Sequence, residues 1–269
     1  MMQDYEYKFE EDGKRIWELD FIRGFCILLM IMDHTLYDLG FVFREQWFGN
    51  AEAGGFWFNL CEFARYDYFP WAGREMVWPV AVFCFIFISG ISCSFSHSNI
   101  KRGLRLAVVA LLLTAVTMGM DWFMGQEDQL TIRFGILHML SASILLYCIF
   151  KKFGKIFMLF AGLFAIAVGI YFSYVPLETS SYYMGILVRS TSGFQSADYF
   201  PLLPYLGFFL IGGALGPWLY PNRRSLFGID GNRGFMRPVL FTGRHSLIFY
   251  ILHQPVVYGL LSLAGMYIK

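Results

Sequence analysis

The chain has 269 residues, of which 57% are hydrophobic, 20% aromatic and only 15% charged. A soluble domain carries about a quarter charged residues, so the composition excludes an ordinary soluble protein and points to a membrane protein. The formal net charge of +1 masks an uneven distribution along the chain and gives no argument for a nucleic-acid partner.

Residues 1–18 are polar and read as a cytoplasmic N-terminal segment, and 19–269 as one transmembrane domain. No small-residue cleavage site follows the first apolar run, which therefore reads as a signal anchor rather than a removable signal peptide. Apolar stretches at 19–43, 76–95, 103–124, 134–150, 154–175, 200–220 and 239–268 follow in order. Each is near the roughly 20 residues that a helix needs to cross a bilayer. The expected fold is all-α, a polytopic membrane helix bundle with about seven spans. The seventh run has room for a break around Pro255, and the aromatic-rich segment 48–71 has room for one or two interfacial or re-entrant helices.

Basic residues set the expected orientation. With the N-terminus in the cytoplasm, Lys8, Lys14, Arg15 and the clusters Lys101–Arg105, Lys151–Lys155 and Arg223–Arg237 (Arg233 among them) all fall inside. Arg44, Arg65, Arg74, Arg133, Arg189 and Lys269 fall outside, a bias of about two to one in the sense of the positive-inside rule.

The first span carries Asp20 and Arg23 near its start and Asp33 and His34 further along, around an apolar run from Phe25 to Met32. Ionisable groups in such a helix are costly and face a protein interior or a wet cavity. Helix rise puts His34 about 22 Å above residue 19, and His253 about 21 Å above residue 239 in the seventh span. His138 lies about 6 Å below the outer start of the fourth. In a core about 30 Å thick these imidazoles share the outer half, with Asp33 and Asp121 nearby in depth, which suggests one polar site. Three separate core histidines are the plainer alternative. A second level lies within two turns of the inner boundary, where Asp20, Arg23, Arg244 and His245 gather. Guanidinium forks bind phosphate, so this level suits an anionic cytoplasmic donor, although an Asp20–Arg23 pair is also a plain i,i+3 ion pair.

Of five cysteines, Cys26, Cys84, Cys93 and Cys148 lie in apolar runs and Cys61 in an expected outer loop. Without a Cys-x-x-Cys pair, neither a disulfide framework nor a thiolate metal site is indicated.

Arg23 followed after ten residues by His34 on a first membrane helix resembles the signature of the acyltransferase family 3 membrane enzymes. The run Leu19-Asp20-x-x-Arg23-Gly24 resembles the catalytic domain of heparan-α-glucosaminide N-acetyltransferase and its bacterial relatives. Three further blocks fit that branch: Phe87-Ile-Ser89-Gly90-Ile-Ser92, Phe134-Gly135-Ile-Leu-His138 and Gly243-Arg244-His245-Ser246 continuing to Tyr250-x-Leu-His253-Gln254-Pro255. The similarity spans most of residues 15–260.

The resemblance implies acetyl-CoA, or another short acyl-CoA, as a cytoplasmic donor. It implies an amine or hydroxyl acceptor across the membrane, on a glycan or small molecule, and the plasma membrane of a bacterium as the location. Membrane lipids surround the domain, the oligomeric state is open with a homodimer included, and no metal is implied. The heparan enzyme carries a large extracytoplasmic domain ahead of its first helix and more helices, where this chain has eighteen polar residues. Its acceptor therefore does not follow from the mammalian one. Acyl transfer needs a base or an acyl-carrying nucleophile, and a histidine serves as either. His34 is the first candidate. His138 and His253 would orient it, act as a second base or bind the acceptor. Arg23 and Arg244, with Asp20 and His245, would hold the donor. Two rival classes remain from the residues alone: a transporter or channel using the intramembrane His and Arg as a path, and a b-type haem protein with His pairs as axial ligands.

Overall fold

The computed structural model describes residues 16–49, 54–125, 129–175, 182–190, 194–227 and 234–268. Most of the expected N-terminal segment, with Lys8, Lys14 and Arg15, lies outside the described residues, as do Arg233 and Lys269. Among the described residues the regular structure is helical, with one isolated parallel bridge between Phe134 and Tyr199.

Helix α1 (Trp17–Tyr37) runs through a π-helical stretch, Asp38–Phe43, into α2 (Arg44–Phe48). Then come α3 (Phe56–Glu62) with a π-helical extension Phe63–Tyr68, α4 (Ala72–Ser94), α5 (Asn99–Met124) and α6 (Ile136–Phe150). They are followed by α7 (Lys155–Tyr174), α8 (Tyr182–Leu187), α9 (Leu202–Leu219), α10 (Arg237–Arg244) and α11 (Ser246–Ile268). Among the described residues seven segments are long and apolar enough to cross a membrane, as the apolar runs predict: Trp17–Phe48, α4, α5, Ile136–Phe153, α7, α9 and α11. The chain is thus a polytopic helical membrane protein. The first of these segments has 32 residues, about 48 Å of helix, so it outruns a 30 Å core.

Two expectations shift. The seventh run is not broken at Pro255, which sits inside α11, but at His245, whose non-helical φ and ψ of −112° and 25° separate α10 from α11. The 48–71 segment holds helical structure over residues 56–68, as it had room to, but Cys61 lies in α3 with 0% exposure rather than in a loop.

The chain divides into two compact units. One takes in residues 86–226, and the other residues 15–85 with 227–269, so that α4 contributes to both. In the 86–226 unit, α9 packs closely because its glycines remove side chains. A Cβ on Gly207 would overlap the Gly162 carbonyl of α7, and one on Gly212 would overlap the Phe87 carbonyl of α4. Small residues that let backbones approach are the usual device of membrane helix packing. Tyr147, Ile144, Met139, Phe209 and Leu210 are almost wholly buried within this unit.

In the other unit, α1 and α10 cross backbone to backbone. A Cβ on Gly24 would overlap the Val239 carbonyl, and one on Gly243 would overlap the Asp20 carbonyl. Leu39, Phe43, Cys61, Ala64 and Leu261 form the buried core where the π-helical stretch, α3 and α11 meet. Arg44 closes this corner with a 2.6 Å ion pair to Glu62 and a bond to the Gly49 carbonyl.

Candidate functional site

Arg23 and His34 lie eleven residues apart on α1. Eleven residues are almost three whole helical turns, so both side chains leave one face of the helix, about 17 Å apart along its axis. This face meets α10 and α11: His34 finds His253 of α11 there, and Arg23 shares Asp20 of its own helix with Arg244 of α10.

At the upper level, His34 Nδ1 lies 2.8 Å from His253 Nε2. The rings stack with centroids 5.0 Å apart and planes 15° off parallel. His253 Nδ1 lies 2.6 Å from the Tyr250 carbonyl oxygen. A carbonyl can only accept, so Nδ1 of His253 carries a proton, and in the neutral ring Nε2 is then the acceptor. His34 Nδ1–H therefore donates to it, and the lone pair of neutral His34 resides on Nε2. One backbone carbonyl thus fixes two tautomers in series.

The same pair bears on the haem alternative. Two axial imidazoles flank an iron at about twice a metal–nitrogen bond, roughly 4 Å between nitrogens. These two are in direct hydrogen-bond contact at 2.8 Å. Among the described residues no three His, Cys, Asp or Glu side chains cluster as a metal site.

At the lower level, Asp20 lies between two guanidinium groups. Arg23 bonds it at 2.9 Å and Arg244 approaches its other oxygen at 3.6 Å. Arg244 is 44% exposed, and Arg23 and Asp20 are mostly buried. The Gly24–Gly243 crossing brings the two arginine-bearing segments together. The cluster carries two positive charges against one negative. His245 is exposed, with Nδ1 at 3.0 Å from the Phe241 carbonyl and its ring on the Phe241 ring, so its described contacts close the end of α10.

His138 belongs to the 86–226 unit. Its Nδ1 accepts a long, 3.3 Å bond from the Gly135 amide, and its Nε2 lies 3.1 Å from Thr114 Oγ1. Thr114 in turn donates to the Ile132 carbonyl at 2.6 Å. Here the lone pair faces a backbone amide at the start of α6. Asp121 in the same unit accepts from the Leu130 and Thr131 amides and from the Thr131 hydroxyl at 2.6 Å, tying the chain after α5 to that helix.

The structure supplies partners that the sequence did not reveal. Asp33 is gripped by Arg74 through two bonds of 2.7 and 3.0 Å and accepts from Tyr68 at 3.0 Å. Arg74 also stacks 4.1 Å over the Phe69 ring. Burial, and next the Asp33 carboxylate, hold the Tyr68 hydroxyl above its usual pKa, so it stays a donor. Asp38, 3% exposed, accepts from the Gln254 amide through both carboxylate oxygens, and Gln254 is the residue after His253. An acid in the middle of an apolar run was the available signal for Asp38. Arg74 read as an ordinary outer-loop charge.

The family model for the heparan-alpha-glucosaminide N-acetyltransferase catalytic domain matches residues 15–255. The chain belongs to this family. It is therefore an integral membrane protein of an acetyltransferase family, and the match takes in α1, with Arg23 and His34, through His253 on α11. Neither a curated protein nor a solved structure matches the chain.

Proposed function

We propose that the protein moves an acetyl group from cytoplasmic acetyl-CoA to an amine or hydroxyl on the far side of a bacterial plasma membrane, the acceptor being a sugar. The observation that carries this reading is the His34–His253–Tyr250 chain, which leaves the basic nitrogen of His34 at Nε2. In the reaction, Nε2 takes the proton from the acceptor N–H or O–H. The acceptor heteroatom attacks the thioester carbon, the C–S bond breaks, and the departing CoA thiolate takes the proton back from the His34 imidazolium. His253 stabilises that imidazolium by accepting from its Nδ1–H while its own Nδ1–H stays on the Tyr250 carbonyl. In this reading His253 acts through His34 and is a positioning residue.

Arg23 and Arg244 hold the donor's phosphates at the lower level, with Asp20 aligning both forks. The roughly 17 Å between Arg23 and His34 along α1 is then the span the donor's arm covers. His245 borders this level on the exposed side. His138 takes no base role in this reading, because its lone pair faces the Gly135 amide.

The test uses purified protein with labelled acetyl-CoA and an amino-sugar acceptor. His34→Gln keeps a hydrogen bond but cannot titrate, so transfer should fall about a hundredfold or more with CoA binding intact. His253→Asn should fall less and shift the pH–rate profile, because it alters the basicity of His34 and not the number of bases. Near-normal turnover in His34→Gln removes the assignment.

A further inference from the structure

The first half of α4 and the neighbouring part of α1, both in the same compact unit, enclose a groove of about 280 Å³ whose exposed lining is wholly apolar. On α1 it is lined by Ile22 and Leu29, and on α4 by Val77, Ala81 and Cys84, with their neighbours. These positions form one stripe on each helix. Spacings of three, four and seven residues keep side chains on a single face. The α1 stripe continues one turn beyond Leu29 to Asp33. The α4 stripe begins one turn before Val77 with Arg74. Asp33 and Arg74 are the bidentate pair already described, with Tyr68 on Asp33. Two apolar stripes of about 10 Å thus end together, at the same end, in one polar cluster.

The cluster is built to meet a polar group. Asp33 engages two of the five guanidinium N–H donors of Arg74, so the fork still presents donors to an oxygen-rich partner. Both side chains retain some exposure, 23% for Arg74 and 13% for Asp33. Asp33 is also the residue next to His34. A site that is hydrocarbon for most of its length and polar at one end matches a chain-bearing amphiphile rather than a fully soluble sugar.

We propose that the acceptor is lipid-borne: its hydrocarbon chain lies in the α1–α4 groove and its hydroxyl- or amine-bearing head lies at Asp33, Arg74 and Tyr68. This rests on the acyl-transfer reading and names the acceptor class for it. The membrane interior is as apolar as the groove, so the chain contributes little by burial. It acts by holding the head at the site, as a tether raises effective concentration.

The experiment uses the purified full chain in nanodiscs and two probes with the same amine, octyl glucosaminide and methyl glucosaminide. Alkylation of Cys84 by N-ethylmaleimide, read by peptide mass spectrometry, should slow about tenfold with octyl glucosaminide at ten times its Kd, by mass action, and not with the methyl probe. With acetyl-CoA present, kcat/KM should favour the octyl probe by about tenfold or more. Ala81→Phe, which fills the groove from a lipid-facing helix, should bring that ratio close to one. Equal Cys84 alkylation with the two probes, together with equal kcat/KM in the unsubstituted protein, overturns the proposal and leaves acyl transfer standing. Chain-dependent protection of Cys84 without acetylation of either probe keeps the groove and removes the transfer reading.

Discussion

His34 and Arg23 were visible in the sequence because each is an ionisable group in an apolar helix, and such a group calls for a partner. Their partners were not visible, because a partner depends on helix rotation and on where neighbouring helices begin. His253 is the clearest case. A rise counted from residue 239 assumes one straight helix, and the break at His245 makes that count inapplicable. Direct contact with His34 now fixes its level instead. Asp33 was noticed for its depth alone, while Arg74 looked like an ordinary outer charge until their bidentate pair joined α1 to α4. The lower cluster gives a test at this scale. Arg23→Lys keeps the charge and loses the planar fork, so calorimetry on purified protein should show CoA binding weakened by about 1–3 kcal/mol. Unchanged affinity in both Arg23→Ala and Arg244→Ala would leave these arginines as a structural ion-pair cluster around Asp20.

Helix positions followed from apolar runs because a bilayer dictates both length and composition. Breaks and close crossings did not follow, since they depend on what lies opposite. Pro255 looked like the natural breaker of the last run, yet it stays within α11, while His245 ends α10 where Gly243 is pressed onto α1. That crossing predicts a strong position effect. Gly24→Val should destabilise the protein by about 3 kcal/mol or more, seen as a lowered Tm, because the new side chain meets backbone that cannot swing aside. Gly119→Ala in α5, where an added Cβ meets nothing within 4 Å, should be neutral or stabilising by up to about 1 kcal/mol. Similar Tm shifts in the two variants would refute the close crossing. Segment 48–71 offers a chemical test of its packing. Burial pushes the Cys61 thiol up to about 11. A raised pKa leaves less thiolate at any given pH, and thiolate is the reactive form. Iodoacetamide at pH 8 should therefore modify Cys61 about a hundredfold more slowly in the folded protein than after denaturation. Rapid labelling in the folded state would put Cys61 in an open loop after all.

At the scale of the whole molecule, the candidate membrane-crossing helices were legible as apolar runs and their direction rests on charge. Among the described residues seven segments are long and apolar enough to cross, and the 56–68 segment is not one of them. Its 13 residues of helical type rise about 20 Å, short of a 30 Å core. Lys151, Lys152 and Lys155 crowd the turn between α6 and α7, and Lys101, Arg102 and Arg105 crowd the start of α5. Both ends face one side if α1, α4, α5 and α6 cross in alternation. By the positive-inside rule that side is the cytoplasm. On the same alternation the start of α1, with Arg23, is expected on that side, as the proposed cytoplasmic donor requires. Reporter fusions test the direction directly. A fusion after Lys152 should report the cytoplasm. An odd number of crossings then places Lys269 outside, so a fusion there should report the extracytoplasmic space. A cytoplasmic report after Lys269, with Lys152 also cytoplasmic, would mean that one of α7, α9 and α11 does not cross or that a further segment does. An outside report after Lys152 would invert the molecule, put His34 nearer the cytoplasm than Arg23, and take away the physical basis for a cytoplasmic donor held at Arg23 and Arg244.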